Sequence, residues 1–227
     1  MLAYWIIVAA PVLVVAGLSL WPLFRRHYWE RTGSWLPGML LGAALLAVDG
    51  VFSAAAGFWE FTDLRFPPSR FLGLPPAEWP FFFAGAVFGV RLVWVLAGFF
   101  RGVVDARAFW GVVAVLSVAY GLVWWDRPRT VYVCALALPL AVGLALSTVE
   151  FRRWETQAFF AIGFLLFLPM DILMNGMGSF AHDEAMKSPW ELPYGTPVED
   201  LPYIMVVLVV LRFLPVLVAS RRVENGG

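Results

Sequence analysis

Pro76-Ala77-Glu78-Trp79-Pro80-Phe81-Phe82 has a counterpart later in the chain, Pro197-Val198-Glu199-Asp200-Leu201-Pro202-Tyr203. The offset is 121 (199 − 78); Pro76/Pro197 and Arg91/Arg212 share it, and Asp49 and Asp171 differ by 122 (171 − 49). An acid within an apolar run, a Pro-x-Glu turn and a following apolar run with one arginine therefore form a unit that occurs twice, and self-similarity at a fixed period is a fold-level signal. Composition decides which kind of fold carries it. Of 227 residues, 61% are hydrophobic and 14% charged, against roughly 45–50% and about 25% in soluble domains, and the mean hydropathy is +0.79. This is the composition of an integral membrane protein.

Outward from the two motifs, seven apolar runs, near 3–24, 36–57, 79–101, 108–125, 130–149, 156–178 and 200–220, approach the ~20 residues that cross a bilayer. They are continuous rather than alternating, which selects helices over a barrel. The expected fold is all-α, a polytopic membrane protein with seven transmembrane helices. Runs one to three and five to seven form the copies; one and five cross in the same direction, so the copies are parallel and related by an axis along the membrane normal. Residues 1–105 are the first three-helix repeat, 106–128 a linking transmembrane helix, and 129–227 the second repeat with a short cytoplasmic tail. Pro11 and Pro139 lie within the two opening runs. The first connecting loop is longer than its counterpart, so the offset is not constant there.

Arginines Arg25, Arg26, Arg31, Arg101, Arg107, Arg152, Arg153, Arg221 and Arg222 fall on one side of this topology, while Arg65, Arg70, Arg127, Arg129 and Lys187 fall on the other. The positive-inside bias assigns the first set to the cytoplasm. The expected location is the cell membrane, multi-pass, with the N-terminus outside, the C-terminus cytoplasmic, and the long loops 58–78 and 179–199 at the outer surface. The start has no basic n-region or small-residue cleavage site, so its first run is expected to remain as a span. Tryptophans and tyrosines near run ends suit an interfacial belt. Net charge is zero, which offers nothing to nucleic acid, and the lone Cys134 makes no internal disulfide.

Two parallel three-helix copies, an acid late in the second helix, a long outer loop and a Pro-x-Glu-(acid)-x-x-aromatic turn into the third helix resemble the archaeal and heterodimeric bacterial type of lycopene cyclase. In that family the copies are separate subunits or are fused through a linking helix. The resemblance extends over essentially the whole chain. It departs at one point: the paired acids are Glu199-Asp200 in the second copy but Glu78-Trp79 in the first. It implies a carotenoid cyclase of the intramolecular lyase or isomerase type, which closes the acyclic ends of lycopene or a related carotenoid into ionone rings, β foremost, without net oxidation.

Such a reaction needs an acid to protonate a terminal double bond, walls that tolerate a carbocation, and a base. A carboxyl serves as that acid when apolar burial or a second carboxylate raises its pKa. Glu199 with Asp200 in support is assigned as acid and Glu78 as base or cation stabiliser, copy symmetry permitting the reverse. Asp49 and Asp171 join them as catalytic candidates, since intramembrane acids are costly and usually functional or paired. Their expected ion-pair partners are Arg91 and Arg212. Trp59, Phe81, Phe82, Trp190 and Tyr203 can face the cation, each worth roughly 0.5–2 kcal/mol, and Asn175 lies one helical turn beyond Asp171. His182-Asp183-Glu184 lacks the spacing that aims two ligands at one metal and reads as a solvated loop. Gly85-x-x-x-Gly89 and Gly98-x-x-x-Gly102 read as helix packing rather than a dinucleotide turn. No flavin, metal or other cofactor is expected. The expected partners are a lipophilic polyene and the bilayer, with a homo-oligomer permitted and no nucleic acid. An opsin is excluded because the one lysine, Lys187, lies in a loop, and a prenyltransferase because no aspartate-rich run exists. A transporter with paired repeats and a noncatalytic carotenoid-binding subunit are the alternatives.

Overall fold

A computed structural model describes residues 2–30, 32–62, 69–146 and 153–225, the side chains of 2–5, 7–8 and 220–225 excepted. Of the arginines that orient the chain, Arg31, Arg65 and Arg152 lie outside the described residues, as do the side chains of Arg221 and Arg222. The fold is mostly helical. In chain order the elements are α1 (Leu2–Leu18), α2 (Pro22–Trp29), α3 (Thr32–Ala55), β1 (Glu60–Phe61), α4 (Glu78–Ala84), a π-helical segment (Gly85–Val90), α5 (Arg91–Ala97), α6 (Arg107–Val123), α7 (Pro128–Ala145), α8 (Trp154–Gly176), β2 (Phe180–Ala181), β3 (Glu191–Leu192), a 3₁₀ turn (Pro193–Gly195), β4 (Thr196–Pro197) and α9 (Asp200–Asn225). Five helices are long and apolar enough to cross a membrane: Thr32–Ala55, Glu78–Ala97, Pro128–Ala145, Trp154–Gly176 and Asp200–Ala219. Two more, Ala9–Leu18 and Arg107–Val123, are apolar but shorter.

Close packing depends on small residues. α3 lies along α9, where a Cβ at Gly38 would run into the Pro215 backbone and one at Gly42 would meet Leu211 Cδ2 at 2.7 Å. α8 packs on α5 and α9, and a Cβ at Gly163 would meet Leu208 Cδ2 at 2.6 Å. α6 packs on α7, with Gly121 against Cys134, and α1 packs on the π segment. Met39, Ala43, Val90, Val93, Phe159 and Leu208 are buried where these helices meet. The π turn leaves carbonyls without regular intrahelical partners. Tyr28, from α2, donates its hydroxyl to Val87 O at 2.9 Å and Phe88 O at 3.1 Å.

α3 and α8 end alike. Gly57 (φ 74°) and Gly178 (φ 65°) occupy the left-handed region that glycine enters without steric cost. Phe58 N bonds Ser53 O and Ser179 N bonds Met174 O, the six-to-one closure of a Schellman cap. Beyond the caps, β1 and β2 pair antiparallel, with Glu60 opposite Ala181 and Phe61 opposite Phe180. The two long loops are thereby stitched together above the helix ends. In the second loop β3 pairs with β4, and buried Lys187 is held by Glu184 at 3.0 Å and by Glu191. Burial opposes the ammonium charge, but Glu191 and Glu184 outweigh it and raise the Lys187 pKa.

The expected Asp49–Arg91 and Asp171–Arg212 pairs do not form. Arg91 donates to Tyr28 O and His27 O, both at 3.1 Å, and stacks over Trp35 and Trp94. Arg212 pairs with Glu155 at 3.3 Å and stacks over Trp94 and Phe159. Depth explains the difference. Arg91 lies 13 residues beyond Glu78 (91 − 78), about 20 Å at ~1.5 Å per residue. A long cationic side chain reaches for the nearer polar layer rather than back toward the core.

Candidate functional site

Beneath the joined loops lies a cavity of about 150 Å³ whose walls are three helical stripes. α4 and the π segment contribute Glu78, Phe81, Phe82, Gly85 and Ala86; α8 contributes Phe167, Met170, Asp171, Met174 and Asn175; α9 contributes Asp200, Tyr203, Ile204, Val207 and Leu211. These spacings of three, four, seven and eight are one face of a helix. Leu46 from α3, Arg129 from α7, and Trp59, Phe61, Phe180 and His182 from the loops complete the lining. Chemistry is segregated along it. Glu78, Arg129, Asp171, Asn175, His182 and Asp200 cluster at the loop end, and the deeper walls are apolar.

Arg129 organises the polar end. It follows Pro128, which opens α7 as a first helical residue with no N–H to satisfy. Its guanidinium is buried, donates to Asp200 Oδ1, meets His182 Nδ1 at 2.5 Å and lies over the Trp59 ring at 5.8 Å. His182 Nε2 meets Asn175 Oδ1 at 2.8 Å, while Asn175 Nδ2 donates to Asp171 O at 3.0 Å. The network assigns the tautomer: Nε2 carries the proton and Nδ1 accepts from Arg129. Burial, with the positive charges of Arg129 and Lys187, holds the His182 pKa down from 6.5 to about 3. Both ring nitrogens are engaged, which leaves neither for a metal.

Asp171 from α8 and Asp200 from α9 line the same cavity. Asp171 Oδ2 is buried with no hydrogen-bond partner among the described residues. Glu78, 3% exposed, joins the same cavity from α4.

Glu199, the residue the sequence assigns as acid, does not line the cavity. Its Oε1 accepts from Thr130 Oγ1 at 2.5 Å and from Ser188 N at 2.6 Å, and Oε2 is buried without a partner among the described residues. Successive residues on a helix point about 100° apart. At this helix start Asp200 takes the cavity and Glu199 turns toward α7. Asp49 is likewise set back: Tyr132 donates to its Oδ1 and Tyr203 to its Oδ2, the latter at 2.6 Å. It meets the cavity only through the Tyr203 ring. Trp59, Phe81, Phe82, Asn175 and Tyr203 line the cavity as expected. Trp190 does not; it is 56% exposed and packs on Tyr120 and Trp124.

Arg129, His182 and Tyr132 are the residues that sequence reasoning missed. Arg129 and Tyr132 lie three apart just after a proline, a spacing that puts both on one helical face, but Arg129 reads as one more loop cation. His182 reads as solvated because its partners arrive from other elements. Comparison with protein families, with curated proteins and with solved structures finds no match. Fold and site together define a helical, membrane-type protein with an apolar cavity headed by acids and one arginine.

Proposed function

We propose that this chain is a carotenoid cyclase of the lycopene cyclase type, cyclising acyclic polyene ends by acid initiation with no redox change. The observation that carries the reading is the meeting of Glu78 from the first Pro-x-Glu unit with Asp200 and Asp171 from the second around one apolar cavity. The Asp171–Asp200 pair supplies the proton. The terminal double bond takes it, the next double bond attacks the resulting cation to form the ring carbon–carbon bond, and loss of a neighbouring proton to Glu78 restores neutrality. One proton enters and one leaves. Trp59, Phe81, Phe82 and Tyr203 present aromatic faces to the cation, each worth roughly 0.5–2 kcal/mol. Arg129 keeps the paired carboxyls oriented and their charge balanced.

The finer architecture belongs to the same proposal: seven spans, two parallel three-helix copies, N-terminus outside. Two features support the duplication. The Schellman caps recur at an offset of 121 (178 − 57), and Glu60 pairs with Ala181, its own equivalent at that offset (181 − 60). A residue opposite its own counterpart in an antiparallel pair lies where a two-fold axis passes. Packing follows the same exchange, α3 on α9 mirroring α8 on α5.

Expression in a lycopene-accumulating bacterium, with chromatography of the pigments, tests the function. Cyclisation of preformed, unlabelled lycopene by the purified protein in heavy water should leave one deuterium per new ring at the protonated carbon. Bound but unchanged polyene identifies a carotenoid-binding subunit instead, and a colourless protein with no ringed product removes the proposal.

A further inference from the structure

Below the acids the apolar lining of the cavity continues along the helices, as a bore between them. From Glu78 to Ala86 the wall descends eight residues, about 12 Å, and from Asp200 to Leu211 eleven residues, about 16 Å, at ~1.5 Å per residue. The lining therefore runs lengthwise along its helices, a depth that suits an extended chain. Gly85 lies on the lining stripe of its helix, seven residues after Glu78 and between Phe81 and Ala86, so a side chain there projects into the bore. A Cβ built on Gly85 meets nothing within 4 Å. The glycine is therefore not required for helix packing, unlike Gly42 and Gly163. It also opens the π turn, which Tyr28 secures from the opposite side through the Val87 and Phe88 carbonyls.

We infer that Gly85 is the specificity-determining gauge of the bore: its missing side chain admits the unreacting trunk of the polyene while the reacting end lies at Asp171 and Asp200. This rests on the cyclase reading for the substrate's identity, but not for the geometry. A side chain at Gly85 narrows the bore and discriminates against the long chain while sparing contacts to the end group. Gly111 on α6 also has nothing within 4 Å of a built Cβ and does not line the cavity. It serves as the control.

The experiment measures kcat/KM for full-length lycopene and for a truncated acyclic isoprenoid carrying the same end, with the wild type, Gly85→Ala, Gly85→Leu and Gly111→Leu proteins in one lipid. The long-to-short ratio should fall by about tenfold or more in Gly85→Leu, the discrimination that small changes in an apolar pocket provide. It should fall less in Gly85→Ala and stay unchanged in Gly111→Leu. A wild-type ratio in folded Gly85→Leu overturns the gauge and leaves the cyclase reading standing. If Gly85→Leu does not fold, the Gly85→Ala ratio decides by the same criterion. If the wild type cyclises neither substrate, the cyclase reading falls, and lycopene binding read by its absorption band tests the gauge alone: equal binding to wild type and Gly85→Leu overturns it.

Discussion

Replacing Arg129 probes the polar end of the cavity without presuming any reaction. The side chains of Arg129 and Asp200 are 3% and 7% exposed, so each charge has exchanged water for the other. Arg129→Met leaves the acids without their cation and also removes the His182 contact and the Trp59 stacking, and breaking one side of a buried pair costs about 3–5 kcal/mol. Asp200→Asn strands the guanidinium in turn. The double variant strands neither, so its cost should fall short of the sum of the two singles by at least about 1.5 kcal/mol. Arg129→Lys should lie between wild type and Arg129→Met, because an ammonium is a point charge and cannot span Asp200, His182 and Phe58 O as the guanidinium fork does. Reversible unfolding of all four variants and the wild type in mixed micelles gives the cycle. Additivity within about 0.5 kcal/mol would falsify the ion pair as the organising contact.

His182 sets a pH dependence. Its folded pKa, about 3, lies below its unfolded 6.5, so the unfolded chain binds the extra proton between those values and stability present above 6.5 is lost as pH falls through that window; His182→Gln should flatten the acid side of the stability profile, and an unchanged slope removes the residue from the network. Tyr203→Phe takes one donor from half-buried Asp49 and should cost about 1–3 kcal/mol in the same unfolding assay, whereas no loss would mean water replaces the hydroxyl. Gly38→Ala forces a methyl into the Pro215 backbone and should destabilise by about 1–3 kcal/mol; a neutral outcome would mean that α3 and α9 pack less closely. On the proposed cyclase reading, Glu199→Gln keeps Oε1 for its two donors and should retain most turnover, while Asp200→Asn should lose about 100-fold or more. Equal losses in the two, scored by pigment conversion, would restore Glu199 as the acid.

Membrane character and the helix positions were legible because they depend on sums over many residues. Each apolar run became a helix, although α1 and α6 came out shorter than the other five. Glu78, Asp171, Asp200 and most of the aromatic lining were legible through repetition, since a motif seen twice directs attention to its acids. What failed was direction. Whether Glu199 or Asp200 faces the cavity depends on the helical phase at one turn, and a boundary shift of one residue exchanges them. Arg91 and Arg212 failed because depth along a helix does not say to which end a long side chain extends. Arg129 was hidden because its partners Asp200 and His182 lie 71 and 53 residues away, and His182 because Arg129 reaches it across that same separation.

On the proposed duplication, the site is not itself symmetric. Under the 121-residue offset Glu78 corresponds to Glu199, yet Glu78 lines the cavity and Glu199 does not; Asp200 lines it where the first copy has Trp79. Asp171 faces the cavity while Asp49, its counterpart, is satisfied by two tyrosines. The opening helices diverge further: α1, spanning Leu2–Leu18, contains no arginine, whereas α7 brings Arg129. An equivalent pair of half-sites would place like carboxylates at matched depth with no cation between them, an arrangement that repels ionised acids. Divergence resolves that repulsion by giving one copy the guanidinium and the acid pair, and the other the opposing glutamate. On the proposed cyclase reading a proton donor and a proton acceptor then occupy opposite walls of the same bore, and donor and acceptor must differ in environment for one to hold a proton while the other lacks it. On the cyclase reading this has a direct consequence: a substrate with two reactive ends presents them to this cavity in succession, so a singly ringed product precedes the doubly ringed one.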